Sequence, residues 1–425
     1  MNNKIHLVAV DMGYGHQRAV YPLLEFSREG ALNLNDYTNI ESWEKSYWLN
    51  SQKTYEKISY FKRIPVAGSL VFKAMDYFQQ IDKFYPRRDL SPMTTQQKMF
   101  FGAIKKGVSR GLISELAKEP LPFVTSFFVA AYGAEYYNYP GDIYCIVCDA
   151  DISRAWAPID PKNSRIKYFA PNERGRERLK MYGVPANNII VTGFPLPLEN
   201  IGENDEILRD DLGKRIVSLD PLNAFRKTYE NYLKNNLDLP AESGRPLTIT
   251  FAVGGAGAQR EIGSQILKKL QSHIKEGKIK LNLIAGARED VNSHFTTAVA
   301  ELGLENNENV RIIYHPQKME YFRQFNECLR ETDVLWTKPS ELSFYSGLGL
   351  PIIMSEPVGS QEHFNREWLI SIGAGLDSPD PEYVAEWLLD WRRDGRLARA
   401  AFNAFLNAPR NGVRNIKKAL FNENL

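Results

Sequence analysis

The sequence predicts an α/β protein made of two doubly wound domains with parallel sheets, and three observations carry that expectation. Short apolar runs recur along the chain and alternate with helical patterns. Two of these runs pass directly into glycine turns and helix starts: Ile5 to Val10 into Asp11-Met12-Gly13-Tyr14-Gly15-His16, and Leu247 to Val253 into Gly254-Gly255-Ala256-Gly257. At 425 residues the chain is too long for one ordinary core and suits two of about 200 residues each. This rhythm sets the expected boundaries: a first domain over 1–197, a linker of mixed charge over 198–246, a second domain over 247–395, and C-terminal helices over 396–425 that would pack back on the first domain.

In the first domain, Ile5 to Val10 reads as a buried strand whose glycine turn, Gly13 and Gly15, opens a helix. His16 sits at that helix start, where a histidine should titrate low and stay neutral, the state a general base requires. A satisfied structural histidine is the competing reading. Phe123 to Phe128 and Ile143 to Cys148 are further strands, the latter leading into Asp149 and Asp151. Two carboxylates past a strand end read either as an acid/base pair or as a cap and a turn residue. Tyr168 to Ala170 and Ile189 to Val191 continue the sheet, with a charged helix starting at Asn172-Glu173 between them.

In the second domain, Gly254, Gly255 and Gly257 allow a backbone to approach a diphosphate closely while the next helix offers its N–H groups. Leu281 to Ala285 and Val310 to Tyr314 are strands, and His315 follows the second, either near a ligand or simply on the surface. Val334-Leu335-Trp336 is another strand, after which Lys338 lies in a turn and Ser340 can cap a helix starting at Glu341. Leu342, Phe344, Tyr345 and Leu348 form its apolar face and Gly349 ends it. Pro351 to Met354 is the next strand, and its loop delivers Gln361, Glu362 and Asn365 to a helix start. Strand ends of this kind are where open parallel sheets bind ligands.

Composition narrows the class. Hydrophobic residues at 43% and charged residues at 24% are those of a soluble globular protein. The net charge of +2 is unevenly spread, because residues 43–110 hold thirteen Lys/Arg against five Asp/Glu, together with thirteen aromatics. One reading of that segment is a helical subdomain with an aromatic core and a solvated basic face. The other is a peripheral membrane contact that receives a lipid-borne or anionic acceptor. Nucleic acid is not expected, since no binding module accompanies the charge. Three cysteines, Cys145, Cys148 and Cys328, are too few for a disulfide framework and fit a reducing compartment. Cys145 and Cys148 read as small core residues, with redox or zinc chemistry second. The first apolar run stops at Asp11, so no secretory signal is expected, and no apolar run reaches the length of about 18 residues that spanning requires. A cytoplasmic protein follows, at the inner face of a membrane if the second reading of 43–110 holds.

The turn ending in His16, the Gly254-Gly255-x-Gly257 loop, Gly349-Leu350-Pro351, and Pro357 with Gln361 and Asn365 at four-residue steps together resemble GT-B glycosyltransferases. The branch they look like holds the lipid II-forming N-acetylglucosaminyltransferase and the diacylglycerol galactosyltransferases. Tyr182-Gly183-Val184-Pro185 and Ile190-Val191-Thr192-Gly193-Phe194-Pro195 extend the likeness to the galactolipid enzymes. The resemblance implies a GT-B-like pair of Rossmann-like domains facing across a cleft and an inverting, metal-independent transfer. It implies a nucleotide diphosphate sugar as co-substrate and no other cofactor. The diphosphate would lie at Gly254, Gly255 and Gly257, with Gln361, Glu362 and Asn365 facing the sugar. His315, Lys338, Ser340 and Glu341 complete the nucleotide-sugar side, Lys338 as the cation for the leaving group. The acceptor would enter beside Gly13, Gly15 and His16, with His16 as base and Asp149 or Asp151 as its rivals. Three departures stand out. The family usually has three glycines before the histidine, Ser153-Arg154 precede Trp156 where the galactolipid branch has a histidine, and Phe344 occupies the position of the ribose-binding glutamate. Glu341 lies three residues before it, so either Glu341 has taken over the ribose or the nucleotide is held differently. A sugar-nucleotide epimerase of the same fold and a non-catalytic binding protein are the alternatives.

Overall fold

A computed structural model describes residues 3–61, 81–255, 257, 259–357 and 359–421. Packing divides the chain into two units. The first comprises Met1–Pro195, Gly359–Phe364 and Asn411–Leu425, and the second Leu196–Val358 and Asn365–Arg410.

The first unit holds strands β1 (Ile5–Ala9), β2 (Ser27–Asn33), β3 (Phe123–Thr125), β4 (Ile143–Ile146), β5 (Lys167–Ala170) and β6 (Ile189–Val191). They form one sheet in the order β2-β1-β3-β4-β5-β6, parallel throughout. β1, β3 and β4 are buried along their whole length, which is why they read as continuous apolar runs. The second unit repeats the plan with β7 (Leu247–Ala252), β8 (Ile279–Gly286), β9 (Val310–Tyr314), β10 (Val334–Thr337), β11 (Ile352–Met354) and β12 (Gly375–Asp377). Their order is β12-β11-β10-β7-β8-β9, again parallel. The expected class, two doubly wound parallel α/β sheets, is the observed one.

In each sheet the chain runs outward to one side of the first strand and then returns to its other side. The reversal falls between β1 and β3 in the first unit and between β7 and β10 in the second. At such a point the connecting segments diverge to opposite faces and leave a crevice at the strands' carboxyl ends. His16 follows β1, and Gly254 follows β7.

Several elements depart from expectation. β2 has no counterpart in the sequence pattern, because SREGALN has a glycine and few apolar residues and lies at the sheet edge, partly exposed. β12 is a three-residue edge strand. Residues 198–246, expected as a linker, fold onto the second unit. Their helix Glu206–Leu219 buries Leu208, Leu212 and Ile216, and its fully buried Arg215 donates to the carbonyls of Thr332 and Leu348 at 2.7 and 2.8 Å. The C-terminal helices divide: Arg396–Asn407 belongs to the second unit, while Gly412–Phe421 packs in the first, where Asn415 donates to the Thr192 carbonyl.

The described part of 43–110 includes the helices Ser42–Phe61 and Thr95–Lys105. Trp48, Ile81, Phe84 and Ile104 are buried there, while Lys45, Lys98 and Lys105 are exposed. Phe72, Tyr77 and Phe78 lie outside the described residues. No described helix is long and apolar enough to cross a membrane.

Candidate functional site

The switch point of the first unit is built around His16. Gly13 leaves β1 with φ +119°, a conformation that side chains resist, and the helix Gly15–Val20 begins two residues later. The loop is fastened by Asn35, which accepts from the Asp11 N–H at 2.9 Å and donates to the Asp11 carbonyl at 3.0 Å. His16 points at the end of β3: its Nδ1 lies 2.6 Å from the Ser126 carbonyl, and the Ser126 hydroxyl donates to the His16 carbonyl at 2.7 Å. A carbonyl can only accept, so Nδ1 carries the proton and Nε2 the lone pair of the neutral ring. Burial holds the imidazole pKa down at about 4, opposed by the bond to Ser126, so the ring is neutral at physiological pH. The low titration expected of His16 is therefore present, with burial as its chief cause.

Aromatic rings wall this histidine. Phe127 meets it edge-on with centroids 5.1 Å apart, and Trp156 lies 6.3 Å away. Phe128 bridges Phe127 and Trp156 at 5.1 and 5.2 Å, and Trp48, from the helix Ser42–Phe61, stands edge-on to Phe127 at 6.2 Å. Trp48 is set by the buried Glu44, which accepts from its indole N–H, from the Tyr37 hydroxyl and from the Ser109 N–H. Cys148, which reads from sequence as core filling, brings its sulfur to 3.9 Å from His16 Nδ1 and 3.7 Å from the Ser126 carbonyl. Sequence reasoning misses Ser126, Phe127 and Cys148 because only the strand order carries them to His16.

The two carboxylates separate. Asp149 follows Cys148 directly and is half-buried. Asp151 is buried and pairs through both oxygens with Arg178 at 2.7 and 2.8 Å, and with Arg174 at 2.8 Å. With three guanidinium contacts and the Ile152 N–H also on it, this carboxylate, expected as a rival base, has the surroundings of a buried ion pair.

In the second unit, Gly254 and Gly257 close a tight turn through an N–H to carbonyl bond of 2.8 Å, and the helix Arg260–Lys275 follows. Gly257 has φ +68°, and a Cβ there would meet Val291 at 2.9 Å and Arg288 Nε at 3.1 Å. A Cβ on Gly254 would lie 2.4 Å from Cε of Lys338, so the lysine that follows β10 lies across the glycine that follows β7. Arg288, which no sequence motif singles out although it follows the glycine ending β8, is held by Asp290, which also pairs with Arg260. The loop thus gathers backbone N–H groups, a long helix's N-terminus and basic side chains, the donor set an anion requires.

The remaining residues divide. Glu341 is half-buried at the start of a 3-10 stretch, Glu341–Leu348, where an α-helix was expected, and the Ser340 side chain makes no cap bond. Gly349 ends it in the left-handed conformation, as expected. Phe344 is 1% exposed and packs on Trp368 at 5.0 Å, so its position faces the core. Asn365, expected toward the sugar, is fully buried and donates to the Pro339 carbonyl at 3.2 Å, which fastens the loop after β10. Gln361 and Glu362 are half-buried and fall in the first unit by packing. His315 follows the edge strand β9 and accepts from the Gln317 N–H at 3.1 Å, closing a local turn two strands from β7. A cavity of about 930 Å³ lies at the opposite, amino-terminal ends of β7 and β8, and three of its basic side chains are paired, Arg330 with Asp211, Arg245 with Asp333 and Lys280 with Glu331.

Three comparisons with known proteins bear on this arrangement. A family model described as a domain of unknown function, DUF6938, matches residues 239–309 and 294–376. The chain is 19% identical over 381 residues to the processive diacylglycerol beta-glucosyltransferase of Bacillus subtilis, covering 88% of this chain and 83% of that protein. It is 22% identical over 404 residues to the protein of that name from Staphylococcus saprophyticus, covering 91% and 83%. Among solved structures it is similar to the UDP-GlcNAc 2-epimerase from Neisseria meningitidis bound to UDP-GlcNAc, with a TM-score of 0.51 at 13% identity over 99% of this chain and 100% of that one. MurG of Acinetobacter baumannii is similar with a TM-score of 0.50 at 12% identity, over 99% and 100%. The resemblance to the GT-B glycosyltransferases holds, and the fold of two Rossmann-like sheets is shared with these structures.

Proposed function

We propose that this protein is a glycosyltransferase that moves a sugar from a uridine diphosphate sugar to the hydroxyl of a diacylglycerol-like acceptor, with inversion and without a metal ion. The observation that carries the reading is His16: a neutral imidazole at a switch point, its proton held on Nδ1, its lone pair on Nε2, and aromatic rings around it. The names of the similar proteins from Bacillus and Staphylococcus support glucose and diacylglycerol as the transferred group and the acceptor. Phe127, Phe128, Trp156 and Trp48 suit an apolar acceptor, because ligand sites are lined mainly by such side chains with few placed polar groups.

In this mechanism the acceptor hydroxyl gives its proton to His16 Nε2 as its oxygen attacks the anomeric carbon. The bond from that carbon to the diphosphate breaks, and its electron pair leaves on the diphosphate. Lys338, Arg288 and the N–H groups of the Gly254 loop and the following helix meet the developing charge. Entry on the face opposite the leaving group inverts the configuration. Glu341 is the carboxylate we assign to the ribose, since Phe344 faces the core.

The test is release of uridine diphosphate from UDP-glucose, measured in EDTA with and without dioleoylglycerol micelles. Release that requires the lipid, and a loss of about 100- to 10,000-fold in His16→Ala, are the expected outcomes. Turnover of UDP-GlcNAc with no acceptor present would instead favour the epimerase alternative, and failure of any uridine nucleotide to raise the melting temperature would remove the nucleotide-sugar reading.

A further inference from the structure

Resting on the reading of His16 as the base, we infer that Ser126 is the positioning residue that decides which nitrogen of His16 is basic, its carbonyl accepting the hydrogen bond from Nδ1–H while its hydroxyl ties down the histidine's own backbone.

The two residues are 110 positions apart and joined by two hydrogen bonds that run in opposite directions, ring to carbonyl at 2.6 Å and hydroxyl to carbonyl at 2.7 Å. One bond fixes the ring and the other fixes the peptide that carries it, so tilt and position are set together. Ser126 is itself immobile: it is 0% exposed, and its N–H donates at 3.3 Å to the Val8 carbonyl on β1, the strand that launches the Gly13 turn. The clamp therefore spans both strands of the switch point.

The choice of tautomer follows from the lone pairs. With the proton on Nε2, Nδ1 would set its lone pair against that of a carbonyl oxygen 2.6 Å away, an acceptor facing an acceptor on a residue that is itself fully buried. With the proton on Nδ1 the contact is a hydrogen bond. The Cys148 thiol, 3.7 Å from the same carbonyl, is a weak second donor and the titratable group beside the ring. Nδ1 is served by a carbonyl, so the imidazolium formed during turnover gains a dipole's stabilisation on this side. That arrangement makes geometry, more than charge, the contribution of Ser126. Alanine at this position keeps the carbonyl but releases the His16 peptide, and the ring can then turn.

The experiment uses the full chain labelled with ¹⁵N histidine, with His16 assigned among the six histidines by comparison with His16→Gln. Long-range ¹H–¹⁵N spectra at pH 7 are expected to show a single tautomer protonated on Nδ1. In Ser126→Ala the expected results are a mixture of tautomers and a kcat lower by about tenfold, a part of the hundredfold that a misplacement of about 1 Å can cost. The KM for UDP-glucose, measured with dioleoylglycerol micelles, is expected to stay unchanged. A wild-type ring protonated on Nε2 overturns the inference without any variant, so it remains testable if the alanine protein does not fold. An unchanged tautomer in Ser126→Ala, or mixed tautomers with an unchanged kcat, overturns it as well. Full activity in His16→Ala beside a single Nδ1-protonated tautomer in the wild type would defeat the base reading and leave the control of the tautomer standing.

Discussion

Asp149 and Asp151 are two positions apart on one loop, and their surroundings give them different work. Arg178 is wholly buried and has Asp151 as its ion-pair partner, so neutralising the carboxylate strands a guanidinium in the interior. Breaking such a pair from one side typically costs about 3–5 kcal/mol. Asp151→Asn is therefore expected to lower unfolding stability by about that amount in urea titrations, while the folded fraction keeps its kcat. Loss of kcat at unchanged stability would return Asp151 to the chemistry. Nothing in the sequence near Asp151 announces its partners, which come from a helix more than twenty residues on. The same holds for Asn365, an amide that reads as a ligand contact and serves as a loop fastener. A side chain's type is local information. Its partner is not.

The glycine turns were legible as elements because their constraint is short-range: a strand that must reverse into a helix needs residues tolerating φ > 0. The structure ranks them. Gly13 at φ +119° has nothing within 4 Å of the point where a Cβ would stand, so alanine there meets backbone strain alone. Gly257 at φ +68° adds a contact of 2.9 Å with Val291 to that strain. Strain of about 1–3 kcal/mol in the loop is about one to two powers of ten in affinity. Gly257→Ala is accordingly expected to weaken uridine diphosphate binding by about tenfold or more in calorimetry, and Gly13→Ala to leave it unchanged. Equal effects of the two would count against a diphosphate at the Gly254 loop. Strands were legible where both faces are buried, as in β1, β4 and β7, and also at the apolar edges β6 and β9, but not at the edge β2, which carries polar residues because solvent is on one side.

For the molecule as a whole, the neutral His16 couples folding to pH. Its ordinary value of 6.5 applies in the unfolded chain, and burial lowers it to about 4 in the folded one. Between those values the unfolded state binds the extra proton, so stability rises with pH there. The contribution is fully present above 6.5 and is lost as pH falls toward 4. Thermal unfolding is expected to show a higher melting temperature at pH 7 than at pH 5, with a smaller difference in His16→Gln. An equal slope in both proteins would mean that His16 is not held neutral by the fold. Activity follows the same sign: the acid limb of kcat/KM set by this base is expected near pH 4.

Local pattern was enough for the class of the protein, two parallel α/β sheets with glycine turns after the first strand of each, and for singling out His16, Gly254, Gly257 and Lys338. These follow from periodicity and turn chemistry, which act over a few residues. The company these residues keep comes from the folded chain. It set Ser126 against His16, Lys338 across Gly254 and Arg288 beside Gly257, and it turned Asp151, Asn365 and Phe344 inward. The reason is strand order: β3 lies beside β1, and β10 beside β7, through long-range pairing that no local pattern encodes.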